Sequence, residues 1–162
     1  MAEYTFTLAQ PCDIPEIMRL YGSIVGTPDC TWSDDYPRLE NVESDIAAQS
    51  LYILKDGATI ISAAFAGACD ELAEFHWQCE NPCELARIGV VLSMQGCGIG
   101  SLMLKNVISA VKKRGFDGIR MLVSRNNPAA LAMYDKNGFT RLDEIRMFDI
   151  DFYRYEMRFE ND

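Results

Sequence analysis

The sequence predicts an α/β domain built on a mixed, largely antiparallel β-sheet flanked by helices. Three observations carry that prediction. A strand pattern at 84–91, a helix pattern from Ile99 to Arg114, a strand pattern at 119–123 and a helix pattern from Pro128 to Asn137 follow one another, which implies a parallel strand pair with a helical crossover. Asp56-Gly57 joins two apolar strands as a hairpin, and two more strands close the chain, so the flanks are antiparallel. The chain has 162 residues, 49% hydrophobic and 24% charged, the make-up of one globular domain over 1–162 rather than of a disordered or membrane protein.

Each element has its own signal. Tyr4 to Leu8 alternates polar and apolar and reads as a strand. Asp13-Ile-Pro-Glu16 places an acid at the N-cap, proline in the first turn and glutamate at N3, which opens a helix through Ile14, Ile17, Met18 and Tyr21. Gly22 to Pro37 is rich in Gly, Pro and Asp and reads as a loop carrying Trp32 and Tyr36. Leu39 to Gln49 is a short acidic helix. Leu51–Leu54 and Thr59–Phe65 are the hairpin strands. Residues 67–83 are acidic around Phe75-His76-Trp77 and read either as a strand with a long tip or as loop. Gly89, inside the strand at 84–91, marks a bulge or a closely approaching neighbour. In the helix from Ile99, residues Ile99, Leu102, Met103, Val107, Ala110 and Val111 share one face. Asn127 caps the next helix, with Pro128 at N1 and Gly138 just beyond the end. Phe139–Met147 and Phe152–Phe159 are the closing strands.

Charge and cysteines exclude several functions. The net charge is -9, which argues against nucleic acid as a partner. The charge is uneven: residues 1–83 carry 14 acidic and three basic side chains, and residues 84–162 carry 10 and 12. Six cysteines, a single histidine (His76) and a start without a basic, apolar leader predict free thiols, no structural zinc or other metal, and a cytoplasmic setting. No apolar run reaches the ~20 residues a membrane span needs.

Gln95-Gly96-Cys97-Gly98-Ile99-Gly100 lies between a strand and a helix. Glycines there let a ligand approach backbone N–H groups, and with the helix N-terminus these bind phosphate. No Lys-Ser/Thr follows, as a Walker A loop requires, and the loop comes too late in the chain for a Rossmann fingerprint. A ligand-free glycine-rich turn is the alternative.

Val90-Val-Leu-Ser-Met-Gln95-Gly-Cys-Gly98-Ile-Gly100-Ser-Leu-Met-Leu resembles the acyl-CoA-binding motif of the GNAT superfamily of N-acetyltransferases, and Asn127-Pro-Ala-Ala130-Leu-Ala-Met-Tyr134 with Gly138-Phe139 resembles its second motif. The motifs stand in the family's order, about 30 residues apart, and the element order matches over nearly the whole chain. The stretch from Trp32 through Tyr36-Pro37 to Asp45 is similar to a bacterial subgroup without assigned substrate. The resemblance implies a sheet whose central parallel pair splays open, with Gly89 where the family bulges. It implies acetyl-CoA as co-substrate, its pyrophosphate on the backbone of Gln95, Gly96, Cys97, Gly98, Ile99 and Gly100, Ser101 also in the cofactor site, and its pantetheine arm along Val90 and its neighbours. Asn127 would help position that arm. A homodimer through the C-terminal strands is also consistent with the family.

Acetyl transfer to an amine needs a neutral amine, a donor for the oxyanion and a proton for the leaving thiolate. The resemblance assigns the last task to Tyr134; the alternative is an aromatic on the buried helix face. It points to Glu84 as the base, 16 residues before the last motif glycine, as in the histone acetyltransferase branch. Glu80, Glu74, His76 or a water chain are rivals, and a carboxylate in that role needs burial to raise its pKa. The glutamate that ribosomal-protein N-terminal acetyltransferases carry five residues before the motif asparagine is Leu122 here, which speaks against that acceptor. Trp32, Tyr36 and Trp77 are expected to wall the acceptor site. Aromatics with acids suit a cationic amine. Arg87 either pairs with an acid of the first half or faces substrate. An acetyl-CoA-dependent enzyme acting on a primary amine of a small molecule or peptide is the leading reading. A non-catalytic CoA-binding module and a transferase for another acyl chain are the alternatives.

Overall fold

A computed structural model describes residues 3–28 and 30–160. The strands are β1 (Tyr4–Leu8), β2 (Leu51–Asp56), β3 (Thr59–Gly67), β4 (Pro82–Val90), β5 (Gly118–Ser124), β6 (Thr140–Met147) and β7 (Ile150–Arg158). The helices are α1 (Ile14–Ile24), α2 (Leu39–Ala47), α3 (Ile99–Lys113) and α4 (Pro128–Lys136). The element order is the one the sequence predicts, and the seven strands form one sheet in the order β1-β2-β3-β4-β5-β7-β6. All neighbours are antiparallel except β4 and β5. That parallel pair holds over only three residue pairs, Pro82–Gly118, Cys83–Ile119 and Glu84–Arg120. Beyond Glu84 the two strands part.

Two cores sandwich the sheet. Met103, Leu104, Val107 and Val111 of α3 pack with Tyr134 of α4 on one face, and Ile17, Leu20 and Tyr21 of α1 with Val42 of α2 on the other. Strand alternation feeds both: Tyr52 and Leu54 go to the first, Leu51 and Ile53 to the second. Among the described residues no helix is long and apolar enough to cross a membrane. All six cysteines are free, and burial pushes the Cys79 and Cys83 thiols up to about 12.

Several local expectations are corrected. α1 runs through Gly22 to Ile24. Gly22 faces open space, while Leu20 and Ile24 pack against the backbone of Gly89; that tertiary contact outweighs the ~1 kcal/mol that glycine costs a helix. The two carboxylates at the start of α1 are spent elsewhere: Asp13 accepts from the Gln10 amide at 2.8 Å, and Glu16 from the Ile60 amide of β3 at 2.7 Å. Residues 68–81 are loop. The bulge in β4 is not at Gly89. The register slips between Ala63 and Phe65 of β3, opposite Arg87 and Ile88, and Arg87 takes φ +51°. Gly89 answers the other expectation, close approach, because a Cβ there would sit 2.8 Å from Ile24 Cδ1.

Gly118, at the start of β5, is more tightly enclosed. An added Cβ would lie 2.3 Å from both Cys79 Sγ and Met157 O. Because backbone cannot yield cheaply, Gly118→Ala is expected to destabilise by about 2 kcal/mol. Urea denaturation checks this; an unchanged midpoint would contradict it.

Candidate active site

The parting of β4 and β5 opens a cavity of about 1020 Å³. It is bounded by the 24–36 segment, β4, the glycine loop, β5, α4 and the β6–β7 turn. Val90, Gln95, Gly96, Gly98, Ile99, Gly100, Ser101, Asn127, Tyr134, Glu84, Trp32 and Tyr36 all line it. Of the residues singled out in the sequence, Cys97 and Trp77 are not among its lining.

The glycine loop arrives at α3 by a left-handed turn. Gly96 and Gly98 have φ +80° and +82°, a region that costs other residues about 1 kcal/mol or more. The turn consumes two amides, Gln95 N–H to Leu92 O at 3.3 Å and Cys97 N–H to Met94 O at 3.3 Å. Among the described residues, no backbone acceptor takes the amides of Gly96, Gly98, Ile99, Gly100 or Ser101. That row of donors at the N-terminus of a 15-residue helix is suited to an anion such as a pyrophosphate. Gly100 also lacks room for a side chain, since a Cβ would stand 2.8 Å from Met133 Sδ of α4. The Gln95 side chain turns back and donates to Val90 O at 3.2 Å, tying the loop to β4.

On the β5 side of β4, residues 85–90 have no strand partner. An extended ligand can pair along such an edge as an added strand does. Asn127 Oδ1 accepts from the Ala130 amide at 3.1 Å, so its helix-capping role is met.

Tyr134 is 3% exposed, and its ring is fixed by Phe139 at 5.4 Å and Tyr155 at 6.0 Å between centroids. Burial alone raises its pKa above the ordinary phenol value. It therefore remains a hydroxyl throughout the working range of pH.

Glu84 is 4% exposed. Its Oε2 accepts from Arg120 Nε at 3.1 Å, from Arg120 Nη2 at 2.9 Å and from the Leu72 amide at 3.3 Å. Burial pushes its pKa above the usual carboxylate range, opposed by the Leu72 amide and Arg120. The rival bases Glu74, His76 and Glu80 are exposed and do not line the cavity. Glu71 does line it, at the exposed rim. Cys69, Glu71 and Glu84 offer ligand atoms within 4.8 Å of one another, but the Arg120 guanidinium already bonds Glu84 and fills the role of a cation there.

Arg87 pairs with an acid of the first half. Its Nε and Nη2 donate to Asp45 of α2, both at 2.7 Å, and its Nη1 donates to Tyr36 Oη at 3.0 Å. The guanidinium lies 4.8 Å from the centre of the Phe65 ring, and Tyr21 Oη donates to the Arg87 carbonyl at 2.7 Å. Trp32 meets Tyr21 edge-on at 5.3 Å. The bulge thus anchors both aromatics of the 30–38 segment. Trp77 instead braces its own loop: its indole donates to Leu72 O at 2.7 Å, and Arg154 lies 4.9 Å from its ring centre.

Phe148, Ile150 and Phe152 also line the cavity and were not foreseen. Phe148 and Asp149 form the two-residue β6–β7 turn with φ +54° and +60°, as a hairpin of this length requires. Phe148 is 70% exposed. A large apolar residue at a turn normally filled by Asn or Gly was the available signal.

Among the described residues, the charged side chains lining the cavity are Glu71, Glu84 and Arg87. Among the described residues, six of the twelve cations of the second half form ion pairs, such as Arg125 with Glu144 and Arg154 with Asp143. The anion-binding donors of the site are therefore backbone amides rather than side chains.

Comparison with known proteins bears on the fold and the family. A mycothiol acetyltransferase of Nocardia farcinica is 26% identical over 140 residues, 82% of this chain and 44% of that protein. One from Paenarthrobacter aurescens is 31% identical over 86 residues, 48% of this chain and 27% of that protein. The chain spans less than half the length of these curated relatives. A GNAT acetyltransferase of Streptococcus agalactiae superposes with TM-score 0.80 at 18% identity, covering 98% of this chain and 96% of that one. A Salmonella typhimurium protein solved with acetyl-CoA as its cofactor gives 0.76 at 16% identity, covering 98% and 95%. The solved structures share the fold. The sequence pattern of the acetyltransferase (GNAT) family matches residues 16–139, and the chain belongs to that family.

Proposed function

We propose that the chain moves an acetyl group from acetyl-CoA to a primary amine of a small molecule or peptide by direct attack in a ternary complex. One observation carries this reading: a single cavity brings together the unclaimed amides of Gly96, Gly98, Ile99, Gly100 and Ser101, the unpaired edge of β4, the Tyr134 hydroxyl and the Glu84 carboxylate. The amides of Gly96, Gly98, Ile99, Gly100 and Ser101 would take the pyrophosphate, and Val90 and its neighbours the pantetheine arm, with Asn127 beside it.

Glu84 accepts the proton of the incoming ammonium, whose ordinary pKa is near ~10. The neutral nitrogen attacks the thioester carbonyl to form the C–N bond; collapse of the tetrahedral intermediate breaks the C–S bond and expels the thiolate, which takes up, through solvent, the second proton that the nitrogen gives up as the amide forms. Tyr134 donates a hydrogen bond to that sulfur. A thiol has a pKa of roughly 8.5, below that of the buried phenol, so the phenol stabilises the thiolate mainly as a donor. The reaction as written uses no metal. Trp32 and Tyr36 wall the acceptor, and Glu71 at the rim with Glu84 within favours a cationic amine.

Thiol release from acetyl-CoA against a panel of amines tests the reading. Turnover is expected on amines that are cationic at neutral pH, with acidic amino acids poorer by about tenfold or more. Preference for an anionic acceptor would overturn the charge argument. Binding of acetyl-CoA without thiol release on any amine would favour a non-catalytic module, and competition by propionyl-CoA or succinyl-CoA would redefine the acyl group.

A further inference from the structure

A row of charges crosses the sheet where β4 and β5 part. Glu84 is the last β4 residue paired with β5 and stands opposite Arg120, which in turn stands opposite Glu156 of β7. Residues directly opposite share a face, so an anion, a cation and an anion lie side by side. They are 4%, 9% and 6% exposed. Charges so deeply buried persist only if hydrogen-bonded, and the 68–81 loop supplies partners. Leu72 N–H donates to Glu84, Cys69 O accepts from Arg120 Nη2 at 2.9 Å, and the amides of Gln78 and Cys79 donate to Glu156 at 3.2 and 3.0 Å.

The bonding of Glu84 is lopsided. Its three N–H donors all fall on Oε2 and, among the described residues, no N–H group falls on Oε1, with the Cys69 thiol as the further donor beside the carboxylate. We propose that Arg120 is a positioning residue for Glu84: its two N–H groups fix Oε2, so that Oε1 is the atom presented to the acceptor amine. This rests on the reading of Glu84 as the base. One proton passes from the ammonium nitrogen to Oε1, directly or through water, leaving the nitrogen lone pair free to attack. It returns to solvent before the next turnover.

Arg120 also sets where Glu84 takes up that proton. The groups facing Glu84 are Cys69 and Glu71 of the loop, within 4.8 Å, and Glu156 beyond Arg120. Gly67 of β3, opposite Glu84, is uncharged, and Arg154 lies farther out, against the Trp77 ring. The carboxylates and burial favour protonation, and Arg120 is the cation in contact that opposes it. Removing its charge therefore moves protonation of Glu84 to higher pH.

The test follows the Glu84 side-chain carboxyl by carbon-13 NMR against pH in the whole protein. The pH profile of kcat/KM is measured alongside, with acetyl-CoA and the amine of the panel that turns over fastest. In Arg120→Gln the midpoint and the acidic limb of the rate are both expected to rise by about one pH unit, a tenfold loss on the acid side that is recovered on the alkaline side. Arg120→Lys keeps the charge without the two-pronged grip; its midpoint should hold, while kcat falls about tenfold with little change in KM for acetyl-CoA. Glu84→Gln should lose the acidic limb. A limb lost in Glu84→Gln but unmoved in Arg120→Gln, or full kcat in Arg120→Lys, overturns the role of Arg120 alone. A limb retained in Glu84→Gln overturns Glu84 as the base, and the positioning role with it. If Arg120→Gln does not fold, Arg120→Lys decides the matter.

Discussion

Tyr134→Phe is expected to lower kcat about a hundredfold while KM for acetyl-CoA changes little. A positioned proton donor at the leaving group contributes typically ~10²–10⁴ in rate, and a donor that gives mainly a hydrogen bond belongs at the low end. The substitution removes one oxygen and leaves the ring that packs on Phe139 and Tyr155, so the fold should be unaffected. It is therefore a test of chemistry rather than of packing. The pH dependence has a definite sign. Burial raises the phenol pKa, so the protonated, donating form extends to higher pH than for a free tyrosine. An alkaline loss of activity setting in well below pH ~10 would have to come from another group. Steady-state kinetics of the variant over the same pH range reads both points, and undiminished turnover would remove Tyr134 from the mechanism.

Asp45→Ala is expected to cost the fold about 3–5 kcal/mol, because it strands the buried Arg87 guanidinium without its carboxylate. The Arg87 and Asp45 side chains are 10% and 6% exposed, and both bonds between them are 2.7 Å. For a chain of this length such a loss lowers the melting temperature by on the order of 10 °C. Pairing it with Arg87→Met should restore most of the stability, since an apolar replacement leaves no buried charge. The double variant still lacks the Arg87 bond to Tyr36 Oη, so KM for the acceptor should remain raised while KM for acetyl-CoA does not. Calorimetry and separate titration of the two substrates distinguish these effects. A single variant as stable as the wild type would show that the pair carries no structural weight.

The two variants probe parts of the protein that differ in how openly the sequence states them. Asn127 with Pro128 and Gly138 announces α4, so the position of Tyr134 on a capped helix follows from adjacent residues. Gln95 to Gly100 announces the left-handed entry to α3 in the same way. Asp45 carries no such signal. It is one acid among many in the first half, and its partner lies 42 residues away on a bulge that its own strand pattern does not reveal. Glu84 falls between the two cases. A family resemblance marks it, but its capture by Arg120, 36 residues on, depends on the register of a parallel pair that is only three residues long.

Trp77 shows why composition misleads at such a site. An aromatic beside acids reads as a wall for a cationic acceptor, yet its indole is committed to Leu72 and its ring lies against Arg154. The charge asymmetry needs the same refinement. Among the described residues, six of the twelve cations of the second half are paired within the fold, and the donors at the glycine loop are backbone amides.

By itself the sequence determined the order of the elements, the capped helices, the glycine turn and the family to which they point, because each rests on residues within a turn or two of one another. Tertiary structure alone decided where β4 bulges, which carboxylate Arg87 and Arg120 each hold, which oxygen of Glu84 is left over, and that Phe148 stands at the mouth of the cleft. These depend on strand register and on where β4 and β5 part, and both are settled by packing between segments far apart in the chain, whose energies no local pattern encodes.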